Sequence, residues 1–184
     1  MNAVDLVQRL HYHRSWVNCN LLAVVSPLSD EQLRSQFQIG QGSIWKSLLH
    51  LYAAEYVWLE TLLGNHHPLL QGDVPGKIPG NQQGDGGITG LEELQQKWSA
   101  LEQRWGVYLQ SLTPELLDDI VYKKSTSYGL GKRYGTSRGD ILLHVCTHAQ
   151  YTMSQVVNML KQAGTEKLPE TMLIALARLE AELS

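Results

Sequence analysis

The sequence predicts an all-α fold, a four-helix bundle with long crossover connections and a short C-terminal helix. Four segments of the 184-residue chain repeat apolar residues at helical spacing. Each is closed by residues that stop helices. The links are short at two junctions and long at the other two, which fits a bundle with crossovers.

The first segment, residues 3 to 24, carries Val4, Leu6, Val7, Leu10, Trp16, Val17, Leu21 and Val24 on one face, and Pro27 closes it. Ser43 offers an N-cap for a second helix running to about Leu63, ended by Gly64 and Asn65. From His66 to Gly90 the composition turns to Gly, Pro, Gln and Asn, so a long irregular surface loop near a cleft mouth or subunit contact is expected. A third helix spans about Leu91 to Leu112, with Leu94, Trp98, Leu101, Trp105 and Leu109 as its core stripe. Between Pro114 and Arg138 the period breaks, and Ile120, Tyr122, the glycines at 129 and 131, and Tyr134 suggest a short hairpin or ordered crossover. Residues 138 to 163 form the fourth helix, stopped by Gly164, and a last helix covers about Thr171 to Leu183.

Length and composition describe one domain over residues 1–184, large enough for a continuous core. Hydrophobic residues at 43% and charged residues at 18% fit a globular protein of net charge −3. That balance gives no electrostatic reason to expect a nucleic-acid partner. The densest basic patch, Lys123, Lys124, Lys132 and Arg133, reads as a solvated hairpin. No run approaches the roughly 20 apolar residues that span a bilayer, and the polar N-terminus is no signal peptide. A cytoplasmic protein without a membrane partner is expected. Cys19 and Cys146 exclude a disulfide framework and read as small buried hydrophobes.

The chemistry-bearing stretch is RGDILLHVCTHAQYTMSQVVNMLKQA, where a helix puts His144 and His148 one turn apart on one face. Two imidazoles at that spacing can converge on one ion. His50, on the amphipathic run SIWKSLLHLYAAEYVWLETLLG, is the candidate third nitrogen, and three imidazoles with a water make a divalent site. The same pattern also suits half-buried histidines that only hydrogen-bond to neighbours. The metalloprotease glutamate is missing, since Val145 stands at its place. His66 and His67 are further candidate ligands but sit in a polar loop.

These two stretches resemble the DinB/YfiT-like family of four-helix-bundle metalloenzymes, from the first helix to about Gly164. His50, Glu55 and Trp58 are similar to the family's histidine, acidic residue and tryptophan. LLHVCTHAQYTMSQV is similar to the family's LLHVxNHxxHHRGQ, with Gln155 on the final glutamine. The resemblance implies ligands at His148 and four residues later, where this chain has Thr152. Tyr151 and Thr152 replace the family's paired histidines, so the implied three-histidine site is incomplete. Hydroxyl oxygen is a poor substitute for imidazole on zinc or nickel.

Three outcomes follow. His144 takes the missing place one turn along, or a two-histidine site holds metal weakly with waters and Glu55, or the metal is lost and the cavity kept. The resemblance implies a divalent cofactor and thiol activation on a small-molecule substrate, as a thiol transferase or isomerase, with hydrolysis as the neighbouring reaction. Tyr151, Thr152, Gln155 and Glu55 are then pocket residues, and Tyr12 or His13 can reach in from the first helix; no catalytic residue is assigned. The competing class is a non-catalytic bundle, a small-ligand-binding or homodimeric interaction protein, using Trp16, Trp45, Trp58 and the tyrosines.

Overall fold

A computed structural model of the chain describes residues 1–127 and 129–183. Helix α1 (Ala3–Val25) starts from Asn2, whose side chain accepts from the Asp5 N–H while Asp5 accepts from the Asn2 N–H. Helix α3 (Ile44–Leu62) is capped by Ser43, which accepts from the Lys46 N–H. Helix α4 (Leu91–Gln110) buries Leu94, Trp98, Leu101 and Trp105, four of the five residues of its expected stripe, while Leu109 is partly buried against the core. Helix α5 (Arg138–Gln162) starts at Ser137, and α6 (Leu173–Glu182) follows. Gly64 and Gly164 adopt φ of +97° and +75° just beyond α3 and α5, a backbone that costs glycine nothing.

Among the four long helices, α1 packs on α5, α5 on α3, α3 on α4, and α4 on α1. This order makes a four-helix ring in which α1 and α3 stand diagonally, as do α4 and α5. The chain therefore crosses the bundle between α1 and α3 and again between α4 and α5. Leucine, valine and tryptophan side chains from all four helices meet in one core. A bidentate Arg9–Glu180 pair, with Nη1 and Nη2 at 2.8 and 2.7 Å, fastens α6 across α1.

One connection holds an element that the periodicity did not show, and another takes the hairpin form expected for it. The short link after Pro27 contains α2 (Asp30–Arg34), closed by reciprocal bonds between Ser29 and Gln32. The region before α5 forms an antiparallel hairpin, β1 (Ile120–Lys124) with β2 (Arg133–Ser137), that carries the basic patch. Residues 65–90 contain no helix or strand, as their glycines and prolines foretold. They are nevertheless bonded internally: the buried Asp73 carboxylate accepts from the Gly80 N–H at 2.7 Å, the Gln82 N–H at 3.0 Å and the Gln82 side chain at 2.7 Å. The cysteine expectation is corrected, since Cys19 is exposed and Cys146 only partly buried, both lying at the edge of the α1 and α5 core stripes.

The bundle also buries a charged network. Arg14 is ion-paired with Glu55 and holds Glu102 through bonds of 2.7 and 2.9 Å. Asn18 and Trp98 each donate to Glu55 at 2.9 Å. Burial pushes the Glu55 carboxyl above the usual range, against the pull of Arg14. Removing one member of such a pair strands the other, which costs about 3–5 kcal/mol. Arg14→Met should lower the urea unfolding free energy by about that much, and adding Glu55→Gln should recover part of the loss. Equal losses in the single and double variants would show that a stranded Glu55 charge is not the cause.

His11 is a second buried polar group. Its Nε2–H donates to the Leu142 carbonyl at 3.1 Å, and burial, then Arg14, pushes its imidazole down to about 3. The unfolded chain therefore takes up this proton below about 6.5 while the native state refuses it, so stability falls as pH drops from 6.5 towards 3. In an NMR titration the His11 Cε1 proton should hold its shift from pH 8 to pH 5; a full titration step in that range would show that the buried ring takes up a proton in the native state.

Candidate metal centre

His50 and His148 face one another across the α3–α5 interface, with their Nε2 atoms 3.1 Å apart. The apolar stripes that pack α3 on α5 bring both rings inward, where each is half-buried. His50 Nδ1 lies 2.8 Å from the Pro79 carbonyl, which can only accept. Nδ1 therefore carries the proton, and the Nε2 lone pair of His50 points at His148. Burial, then the neighbouring His50 and His144, pushes the His148 imidazole down to about 4, so it is neutral at neutral pH.

Two tetrahedral zinc–nitrogen bonds of about 2.05 Å place their nitrogens roughly 3.3 Å apart. The observed 3.1 Å suits that span. It equally suits a direct hydrogen bond in which His148 Nε2–H donates to His50. A histidine whose outer nitrogen is tied to a backbone carbonyl is also the arrangement that orients metal-ligating imidazoles.

The other candidates fall elsewhere. His144 is exposed, its ring standing edge-on to Trp58 at 5.4 Å and 5.7 Å from the His148 ring. Thr152 is buried on α5 and brings only a hydroxyl. Glu55 is a correction to the pocket set: five residues after His50 it turns towards α1 and α4, and Arg14, Asn18 and Trp98 occupy its two oxygens. Tyr151 is 68% exposed, and the Gln155 amide lies against Gly40, ahead of α3. His13 contacts the Thr171 carbonyl at 2.9 Å, Tyr12 is exposed, and His66 contacts the Tyr122 carbonyl at 2.7 Å. Trp16, Trp45 and Trp58 do not gather on one face: Trp45 is buried under Arg34, and Trp58 lies between Lys123 and His144. Among the described residues no group of three or more His, Cys, Asp or Glu is arranged to hold a metal ion.

The residue that sequence reading missed is in the loop. Gly80 has φ +83°, and a Cβ there would sit 2.5 Å from the Leu49 carbonyl oxygen and 2.7 Å from the His50 nitrogen. Only glycine lets the loop lie on α3 closely enough for Pro79 to reach His50. Asp73 holds that turn by accepting from the Gly80 N–H. The loop's glycine and proline content was the available signal, but it did not identify a partner.

A helical bundle with a histidine pair between two long helices is the class these observations define. The chain belongs to the DinB superfamily, whose sequence profile matches residues 12–156. It is 24% identical over 165 residues to "Protein DinB" of Bacillus subtilis (strain 168), covering 90% of each chain. Its fold resembles the crystal structure of a DinB-like protein from Bacillus cereus ATCC 10987 with a TM-score of 0.58 and 15% identity, over 86% of this chain and 92% of that one. No helix among the described residues is long and apolar enough to cross a membrane.

Gly80→Ala tests the loop's part in the site. The added methyl should lower stability by about 1–3 kcal/mol, from clash and a left-handed backbone. It should also release His50, so that nitrogen-15 spectra show loss of the single Nδ1–H tautomer. An unchanged tautomer would mean that Pro79 does not set it.

Proposed function

We propose that His50 and His148 hold a divalent cation, zinc or nickel, and that the chain uses it as a thiol transferase or hydrolase acting on a small molecule. The 3.1 Å approach of the two Nε2 atoms, with His50 Nδ1 committed to Pro79, carries this reading. A cation held there lowers the pKa of a bound thiol or water and so supplies a nucleophile near neutral pH. His50 contributes a lone pair of fixed direction. His148 contributes a nitrogen that burial keeps unprotonated. The exposed ring of Tyr151, one residue before Thr152, is available to a substrate from the solvent side. The reading extends to a cytoplasmic homodimer, with exposed Leu143 on α5 as apolar surface for a second copy.

A second reading is favoured by the buried Thr152 and by the want of a third ligand among the described residues. In it the bundle has lost its metal and serves as a small-ligand-binding or dimeric interaction protein. Metal analysis and zinc calorimetry on protein purified without a histidine tag separate the two. The metal reading expects one zinc per chain, abolished by His50→Ala. No zinc binding by the untagged protein up to millimolar concentration would sink it.

Thr152→His adds an imidazole one turn beyond His148. Zinc should then bind at least about tenfold more tightly, corresponding to roughly 1.4 kcal/mol, and the gain should vanish with His50→Ala. If binding instead depends on His144 and ignores Thr152→His, the ion lies one turn along α5.

A further inference from the structure

Lys123 differs from every other cation that the fold covers. Among the described residues the remaining buried or half-buried ones each have an acid: Arg9 pairs with Glu180, Arg14 with Glu55, Lys97 with Glu93 and Arg138 with Asp119. Lys123 is half-buried and has no acid or hydrogen-bond partner among them. Its neighbours in the basic patch, Lys124, Lys132 and Arg133, are exposed.

Strand alternation puts it there. Along β1, Ile120, Tyr122 and Lys124 face solvent while Val121 and Lys123 turn inward. Val121 packs against the core, as an inward residue should. Lys123 instead lays its ammonium 5.4 Å from the centre of the Trp58 ring, and burial pushes it below the ordinary lysine range. A cation over an aromatic face is favourable, but the ring has no lone pair for the three N–H donors.

The same ring leads to the histidine pair. His144 meets Trp58 edge-on at 5.4 Å, the His148 ring lies 5.7 Å from that of His144, and His50 ends the row. Trp58 stands eight residues beyond His50 on α3, roughly 12 Å along the axis. The loop that reaches His50 also holds the hairpin beside this strip: the Thr126 carbonyl accepts from the Gly76 N–H at 2.8 Å, and the His66 carbonyl from the Lys124 N–H at 2.9 Å. Glu55 turns away, so no carboxylate of the chain is gathered with these rings among the described residues. An ion on the histidines makes the strip more positive still.

We propose that Lys123 anchors a carboxylate of the small molecule handled at the histidine pair. The assignment rests on the metal reading above: the reacting atom sits at the ion, and the carboxylate sits roughly 10 Å away over Trp58. One ammonium balances one charge, which suits a carboxylate better than a dianionic phosphate. The middle of the ligand lies along Trp58 and His144, so an apolar linker fits it.

Octanoate tests the anchor, with octanol as the neutral control. In zinc-free protein, octanoate should saturably shift the Lys123 Cε and Trp58 indole signals in carbon-13 and nitrogen-15 spectra, and octanol should not. On zinc-loaded protein, ω-mercaptooctanoate, whose extended chain matches the span, should bind about tenfold more tightly than ω-mercaptooctanol. Lys123→Met keeps an apolar stem on Trp58 and removes the charge. It should erase that preference while zinc binding stays, and Lys123→Arg should restore it. Equal affinity of wild type for acid and alcohol would overturn the proposal, as would the absence of any octanoate shift up to its solubility limit. A Lys123→Met protein that still prefers the acid would also overturn it, by placing the carboxylate on the ion. The octanoate arm involves no metal, so a protein that binds octanoate at Lys123 but takes up no zinc would sink the metal reading and keep the anchor.

Discussion

The buried contact between Arg14 and Glu55 sets the geometry on which the rest of the bundle depends. A lone charge in an apolar interior is so costly that α1 and α3 cannot slide or rotate past one another without losing the pair. Trp98 and Glu102 bring α4 into the same arrangement. Such networks contribute little net stability compared with apolar packing, but they make one register far better than its neighbours. The consequence reaches the site through helix geometry. Five residues along a helix of 3.6 residues per turn is a rotation of roughly 140°, so directing Glu55 towards α1 and α4 directs His50 towards α5.

The loop supplies the remaining degree of freedom. Packing alone brings His50 opposite His148 but does not choose which nitrogen carries the proton. Pro79 makes that choice, since its carbonyl takes the Nδ1–H. Reaching α3 requires backbone contact without a Cβ, which Gly80 allows, and Asp73 fixes the turn from behind. A segment that has no regular structure thus determines the electronic state of a ring on a regular helix. Its order comes from internal bonds, with the buried Asp73 carboxylate holding Gly80 and Gln82, and Asn81 bonded to Val74 and Ile78.

These features were unequally legible in the sequence. The four long helices and their stops follow from periodicity and from Ser43, Gly64 and Gly164, because those signals are local. Helix α2 escaped notice although Ser29 and Gln32 form a capping box, since five residues are too few to show a period. Arg14 was not singled out on α1, because nothing local reveals a carboxylate 41 residues away. The spacing of His144 and His148 gave reach but not direction. In the fold the His144 ring packs against Trp58 at 5.4 Å, a contact between helices that spacing cannot encode.

In the proposed metal site, ligand number and preorganisation, two properties that usually come together, are separate. On that reading Thr152 would reduce the number, since hydroxyl oxygen does not replace imidazole on zinc or nickel. The preorganisation is intact: the bond to Pro79 fixes one ring, burial keeps the other neutral, and their nitrogens already stand near the spacing of two ligands on one ion. Outer bonds of this kind are each worth roughly 10–100-fold in metal affinity. They offset part of the loss of a nitrogen without restoring a closed coordination shell. A two-nitrogen site leaves more positions to water and substrate than a three-nitrogen site does, so occupancy follows the free metal concentration by mass action. On the metal reading proposed above, weaker retention and a more open coordination sphere would be one physical consequence of a threonine rather than a histidine at position 152.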